Sequence, residues 1–231
     1  MLLPVLAARR RLLVGVCLVV VAAGLSLHLA GRASSADADR CERFAAAAST
    51  RAERDVGTGE RVVVIGDSWS VGLGLERPER SWPSQLPGRV HVDGFSGSGF
   101  SAGASPCGAA VAFAARAAAA VAGGAGLVVV EGGLNDVDQP ERLVARGFRD
   151  LLRVLDGTGA PVVVVGPAAA PSRSRGVPRI DALLAELSEQ HGVAYVSTTD
   201  LDLSYLDDRL HLTEDGHRAF GAAVAARLPA E

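Results

Sequence analysis

The 231-residue chain contains no lysine; all 23 of its basic residues are arginine. That absence excludes phosphate-loop nucleotide hydrolysis, pyridoxal Schiff-base chemistry and Ser-Lys dyads, each of which needs a lysine amine. Acidic residues are missing before Asp37, whereas Arg9, Arg10, Arg11 and Arg32 all precede it. Leaving those four aside, 19 arginines face 26 acids, a formal charge of −7 on the rest of the chain. An acidic body of this kind excludes nucleic acid as the main partner, because phosphate binding needs a basic surface. Aromatic residues make up only 4% of the chain and cysteines number three. The length suits one domain with a short appendage.

The appendage is the N-terminus. A head ending in Arg9, Arg10 and Arg11 precedes an apolar run, Leu12 to Ala30, that holds no charged residue. Such a run is about long enough to span a bilayer as a helix of roughly 20 residues, and it is longer than the apolar core of a typical cleaved signal. Ala36 and Ala38 offer a small-residue cleavage site, so residues 1–38 read either as a signal peptide or as an N-terminal membrane anchor. The arginines stay cytoplasmic by the positive-inside rule, which places the body on the extracytoplasmic side. Cys17 lies within the apolar run, with Val14, Gly15 and Val16 fitting a lipidation motif poorly. Cys41 and Cys107 remain, an even pair for an oxidising compartment, where they form a disulfide or stay as two thiols.

Residues 39–60 are polar and alanine-rich, a linker with a helical piece around Arg40 to Arg54, and the domain occupies residues 61–231. Five valine-rich runs of strand length follow: Arg61 to Ile65, Arg89 to Asp93, Leu127 to Glu131, Pro161 to Gly166 and Val193 to Ser197. They are apolar almost throughout, as parallel strands covered on both faces should be. Helix-like segments separate them, near Ser81 to Leu86, Gly108 to Ala122, Pro140 to Asp156, Val177 to His191 and Thr213 to Leu228. In one of these, Ile180, Leu183, Leu184 and Leu187 recur at the spacing of a single helical face. Alternating strand and helix predicts a three-layer α/β/α sandwich on a mainly parallel five-stranded sheet, with ligand sites at the carboxyl ends of the strands.

Chemistry-bearing residues gather at those ends. Gly66-Asp67-Ser68 follows the first strand directly. A serine hydroxyl is a weak nucleophile until a base takes its proton, so a histidine and a group that orients it are required. Asp208-Arg209-Leu210-His211 supplies both, three residues apart, just ahead of the last helix. A tetrahedral oxyanion also needs donors. Gly94-Phe95-Ser96-Gly97-Ser98-Gly99 after the second strand offers backbone N–H groups, and Gly132-Gly133-Leu134-Asn135-Asp136 after the third offers a side-chain amide.

These four blocks, in this order from Arg61 to the C-terminus, resemble those of the SGNH (GDSL-type) hydrolases. The resemblance implies a flavodoxin-like fold with Ser68 as nucleophile, His211 as base and Asp208 as its partner. It further implies an oxyanion hole from the Ser68 N–H, the Gly97 N–H and the Asn135 side chain, with Gly94 and Gly99 as close competitors of Gly97. The family includes esterases, lipases, thioesterases and carbohydrate deacetylases, generally without metal or organic cofactor. The resulting expectation is an extracytoplasmic hydrolase of small-molecule or polymer-borne esters acting through an acyl-enzyme. Acyl transfer to a sugar hydroxyl would use the same residues, and a catalytically silent glycan- or acyl-binding module would keep only the fold.

Other readings compete for the same residues. Gly99-Phe100-Ser101-Ala102-Gly103 fits the G-x-S-x-G nucleophile elbow, with Asp208 and His211 downstream in the required order. That elbow must turn straight from strand into helix, yet glycines and serines separate it from the second strand, and Pro106 and Gly108 follow. Asp208 and His211 could instead join Asp207 and His217 around a metal, but no further cluster of histidine or cysteine supports this. Asp67 and Asp136 read as loop braces. Trp69 and Trp82 line a pocket or fill the core. Short connections between the strands predict an open site without a large lid.

Overall fold

The computed structural model describes residues 36–229. Most of the expected export segment, with Cys17, lies outside the described residues. Among the described residues no helix is long and apolar enough to cross a membrane. The chain divides into two compact units, Met1–Glu42 and Arg43–Glu231. Residues 36–52 are helical (α1). The remainder of the expected linker joins the second unit, where Val56 forms an antiparallel bridge with Val90 and the Phe44 ring meets Phe95 edge-on.

Five strands follow in one sheet: β1 (Arg61–Gly66), β2 (Arg89–Gly94), β3 (Leu127–Glu131), β4 (Val162–Val165) and β5 (Ala194–Val196). Their spatial order is β2-β1-β3-β4-β5, and every neighbouring pair is parallel. The central register sets Val64 beside Val92 on one side and Val129 on the other. Branched side chains suit a pleated surface covered on both faces, and Val63, Val64, Val129 and Val164 are wholly buried. The connecting helices are α2 (Ser68–Val71), α3 (Phe113–Ala120), α4 (Glu141–Asp156), α5 (Val177–His191) and α6 (Glu214–Arg227).

Each helix forms for a local reason. In α4, Val144, Phe148, Leu151 and Leu155 recur at helical spacing and are its buried face. α5 opens with proline in its first turn and closes on Gly192 in the left-handed conformation, the usual asymmetry of helix ends. α6 is capped by Thr213, whose hydroxyl accepts from the Gly216 N–H at 3.1 Å. Two aromatic clusters fix the layers. Phe220 of α6 meets Trp69 and Trp82 edge-on at 5.1 and 5.4 Å, while Phe100 packs on Phe113 and Phe148 of α3 and α4. Both tryptophans are therefore core residues, and each edge-to-face pair contributes about 0.5–1.5 kcal/mol beyond area burial.

The expected short helix near Ser81 is a single 3₁₀ turn, Trp82–Gln85. Pro83 sits inside it, and so short a segment with proline near its start gains little from α-type hydrogen bonding.

Candidate active site

The site is assembled from β1, β2, β3 and the loop before α6. β1 ends at Gly66, where there is no room for a side chain: a Cβ there would collide with Ser70 and crowd the Glu131 carboxyl. The chain then turns directly into α2, whose first residue is Ser68. Asp67 caps this turn by accepting from the Trp69 N–H at 2.9 Å, which holds Ser68 at the strand end. The Ser68 residue is only 7% exposed.

His211 reaches it from the opposite end of the sequence. Its Nε2 lies 3.1 Å from Ser68 Oγ, and its Nδ1 lies 2.5 Å from Asp208 Oδ2. With Nδ1–H donated to the carboxylate, Nε2 is left to accept the serine proton. Asp208 is itself fixed, because its Oδ1 accepts from the Leu210 and His211 N–H groups, each at 2.9 Å. Partial burial works to raise the Asp208 pKa, but the His211 ring and these two N–H groups outweigh it and hold the carboxyl below its ordinary range. The same loop contains Arg209, the one non-glycine among the described residues with a left-handed backbone, at φ 58°.

The two other strand-end loops close around Ser68. Asn135 Nδ2 donates to Asp67 Oδ2 and to the Ser98 carbonyl, both at 2.9 Å. The three glycines of the β2 loop have separate duties. A side chain at Gly94 would strike Val71, and one at Gly99 would strike the Asp136 carboxylate. A side chain at Gly97 would meet only Ser105 Oγ, at an ordinary contact distance of 3.8 Å, but the φ there is 81°, so Gly97 supplies a backbone conformation rather than a close contact. Asp136 holds the far side of this loop by accepting from the Phe100 and Ser101 N–H groups at 3.0 and 2.8 Å.

Three buried acids thus stand behind the site. Burial pushes Asp67 up to about 6, against the Trp69 N–H and the charges of His211 and Arg116. Burial likewise lifts Asp136 to about 7 despite its two N–H partners. Glu131, at the end of β3, is raised well above the usual carboxylate range by burial and by the neighbouring Asp67 charge. Its Oε2 accepts from the Ser70 hydroxyl at 2.7 Å, and Ser70 in turn accepts from the Trp82 indole N–H at 3.1 Å.

The remaining sequence candidates lie elsewhere. Ser101 is buried, and its hydroxyl donates to Gln139 at 3.3 Å; it follows a loop rather than a strand, and His211 is paired with Ser68. His217 is buried on α6, its Nδ1 accepting from the Trp82 N–H at 3.3 Å, and burial lowers it to about 4. Two histidines that were not candidates have structural partners: His91 bonds Asp55 at 2.9 Å, and His191 packs on Phe148. Cys41 and Cys107 are both disulfide-bonded.

Two residues of the site carried no sequence motif. Glu131 and Arg116 both border it, and the signal for each was a charge in apolar surroundings: Glu131 ends the run Leu127-Val128-Val129-Val130, and Arg116 sits alone in an alanine helix.

A parallel sheet carrying a linked serine, histidine and aspartate beyond its carboxyl ends has the architecture of an acyl-transferring hydrolase. The chain belongs to the GDSL-like lipase/acylhydrolase family, whose model matches residues 64–219, and it is a carboxylic ester hydrolase of that family. No curated protein sequence matches it. Among solved structures, a carbohydrate acetylesterase from Sinorhizobium meliloti superposes with a TM-score of 0.61 at 18% identity, covering 73% of this chain and 98% of that one. The inhibitor-bound aryl esterase of M. smegmatis gives 0.59 at 18%, covering 74% and 98%. These likenesses show the SGNH-type fold.

Proposed function

We propose that the protein is an extracytoplasmic serine esterase that cleaves short acyl esters borne on carbohydrates or lipids through an acyl-enzyme. The observation that carries the reading is the continuous chain Ser68 Oγ, His211 Nε2, His211 Nδ1 and Asp208 Oδ2, with contacts of 3.1 and 2.5 Å. Ser68 Oγ bonds to the ester carbonyl carbon while its proton passes to His211 Nε2. The tetrahedral oxyanion accepts hydrogen bonds from the Ser68 and Gly97 N–H groups and from Asn135 Nδ2. Asn135 keeps its bond to Asp67, and the bond it now gives the Ser98 carbonyl is the one the oxyanion competes for. His211 returns the proton to the departing alcohol as the carbon–oxygen bond breaks, and water then repeats the sequence in reverse to release the acid.

The export reading is supported by the arginine head, the apolar run after it and the disulfide-bonded cysteines, since disulfides persist in oxidising compartments. The acyl preference is supported by the carbohydrate acetylesterase among structures of the same fold; the loops after β2 and β5 are long rather than short, since α3 begins only at Phe113 and α6 at Glu214, and they lend it no support.

The test is hydrolysis of short and medium chromogenic acyl esters by the full chain, beside Ser68→Ala and Ser101→Ala. The expected result is a loss of about 10³-fold or more in Ser68→Ala and retained turnover in Ser101→Ala. Loss confined to Ser101→Ala would move the nucleophile to the elbow motif. A folded protein that labels with an organophosphonate but releases no acid to water would be an acyltransferase, and one that does not label would be a binding module.

A further inference from the structure

Arg116 is the only charged residue between Asp93 and Glu131, and it points inward. Its side chain, on α3, is 13% exposed and lies at the carboxyl ends of β1 and β2. Nη1 donates to the Asp93 carbonyl at 2.9 Å and pairs with the Asp93 carboxylate. Nη2 donates to the Gly66 carbonyl at 3.0 Å and to Ser98 Oγ at 3.3 Å, and Nε donates to the Val111 carbonyl at 2.9 Å. The guanidinium carbon stands 5.8 Å from the centre of the Phe113 ring.

The partners are what give this arrangement meaning. Gly66 lies two residues before Ser68. Ser98 follows Gly97, and its carbonyl accepts from Asn135. All three oxyanion donors are therefore one short step from a group that the guanidinium holds.

We infer that Arg116 is a positioning residue, clamping the Gly66–Ser68 turn against the Gly94–Ser98 loop at the separation an oxyanion requires. The inference rests on the reading of Ser68 as nucleophile. A buried cation is a costly way to fill space, and an apolar side chain of similar volume serves a core at least as well. A planar fork of five donors, by contrast, can join several carbonyls in a fixed geometry, which a lysine ammonium cannot. Burial lowers the guanidinium to about 10, so it remains charged at neutral pH while its charge also opposes the upward shift of Asp67.

The experiment compares the full chain with Arg116→Lys, Arg116→Ala and Ser98→Ala. For each, kcat and KM are measured on a short chromogenic ester, together with the rate of organophosphonate labelling and the thermal midpoint. Removing an oxyanion donor costs about 10²–10³ in rate, so displacing the donors should lower kcat by about 10- to 100-fold in Arg116→Lys, with KM within about threefold and labelling slowed in parallel. Millimolar methylguanidinium should recover part of the lost rate in Arg116→Ala and leave the wild type unchanged. Ser98→Ala should lower kcat severalfold.

A folded Arg116→Lys with wild-type kcat and labelling overturns the inference. So does a drop in thermal midpoint without a change in kcat. If neither Arg116 variant folds, Ser98→Ala decides: reduced kcat at constant KM supports the clamp, and wild-type kcat refutes it. A folded wild type that neither hydrolyses nor labels would instead remove the reading of Ser68, and the clamp with it.

Discussion

Asp208 is the most exposed member of the Ser68–His211–Asp208 chain, its side chain 48% accessible against 17% for His211. Exposure weakens a simple ion pair through solvent screening, so its importance lies in orientation. Both carboxylate oxygens are used, one on the imidazole and one on two backbone N–H groups. Asp208→Asn keeps the size but offers Nδ1 an amide that can turn its own N–H toward the ring and favour the wrong tautomer. We expect kcat to fall by about 10²–10⁴-fold with phosphonate labelling equally slowed, measured by steady-state kinetics and mass spectrometry. A fall under tenfold would mean that the backbone alone orients His211. At this scale the hydrogen-bonded chain of Ser68, His211 and Asp208 was legible because each stands at a strand end or in a short loop motif. Arg116 and the pairing of Asp67 with Asn135 were not, because their roles arise only when distant strand ends are brought together, 68 positions apart in the Asp67–Asn135 case.

The elements depend on how firmly each is begun and ended. The α6 cap lies two residues past His211, so it fixes the helix and the imidazole loop together. Thr213 accepts from Gly216, and its backbone N–H donates to the Ser204 carbonyl at 3.0 Å. Thr213→Ala removes the first bond, together with the long 3.4 Å bond that its hydroxyl donates to the same Ser204 carbonyl, and leaves the backbone bond. The expected cost is about 1 kcal/mol, a drop of about 2–4 °C in thermal midpoint for a domain of this size, read by calorimetry. An unchanged midpoint would place the helix start under the control of its packing on Trp82 and Trp69 instead. All five valine-rich runs predicted as strands are strands, because continuous branched residues have no alternative once both faces are covered. The α5 boundaries were equally legible, since proline and glycine mark its ends. The α2 turn was not. Four residues carry no periodicity, and it exists because Asp67 caps it and Trp69 and Val71 are buried beneath it.

For the whole molecule, the three acids behind the site link stability to pH. Each has a folded pKa raised by burial, so the native state keeps a proton that the unfolded chain has already released. Their contribution to stability is present at low pH and is lost as pH rises, across about 4 to 7 for Asp136, about 4 to 6 for Asp67, and further for Glu131. His217 acts in the opposite sense. Its folded value is lowered to about 4 from 6.5, so the unfolded state binds the extra proton and stability grows with pH until about 6.5. Asp200 and Glu214, lowered by Arg227 and Arg80, are exposed and screened, and what they give is lost only on acidification. Above about pH 6.5 the histidine and Asp67 have largely finished titrating, whereas Asp136 and Glu131 have not. The denaturant midpoint of the folded chain should therefore fall between about pH 6.5 and 8. Glu131→Gln, which retains an acceptor for Ser70 but has no proton to release, should flatten that fall while changing the midpoint little at pH 6. A midpoint that rises or stays level across this window would refute the linkage. If Glu131→Gln instead kept the wild-type slope, the dependence would belong to Asp136, and Asp136→Asn, at the cost of one of its two N–H bonds, would be the variant that flattens it.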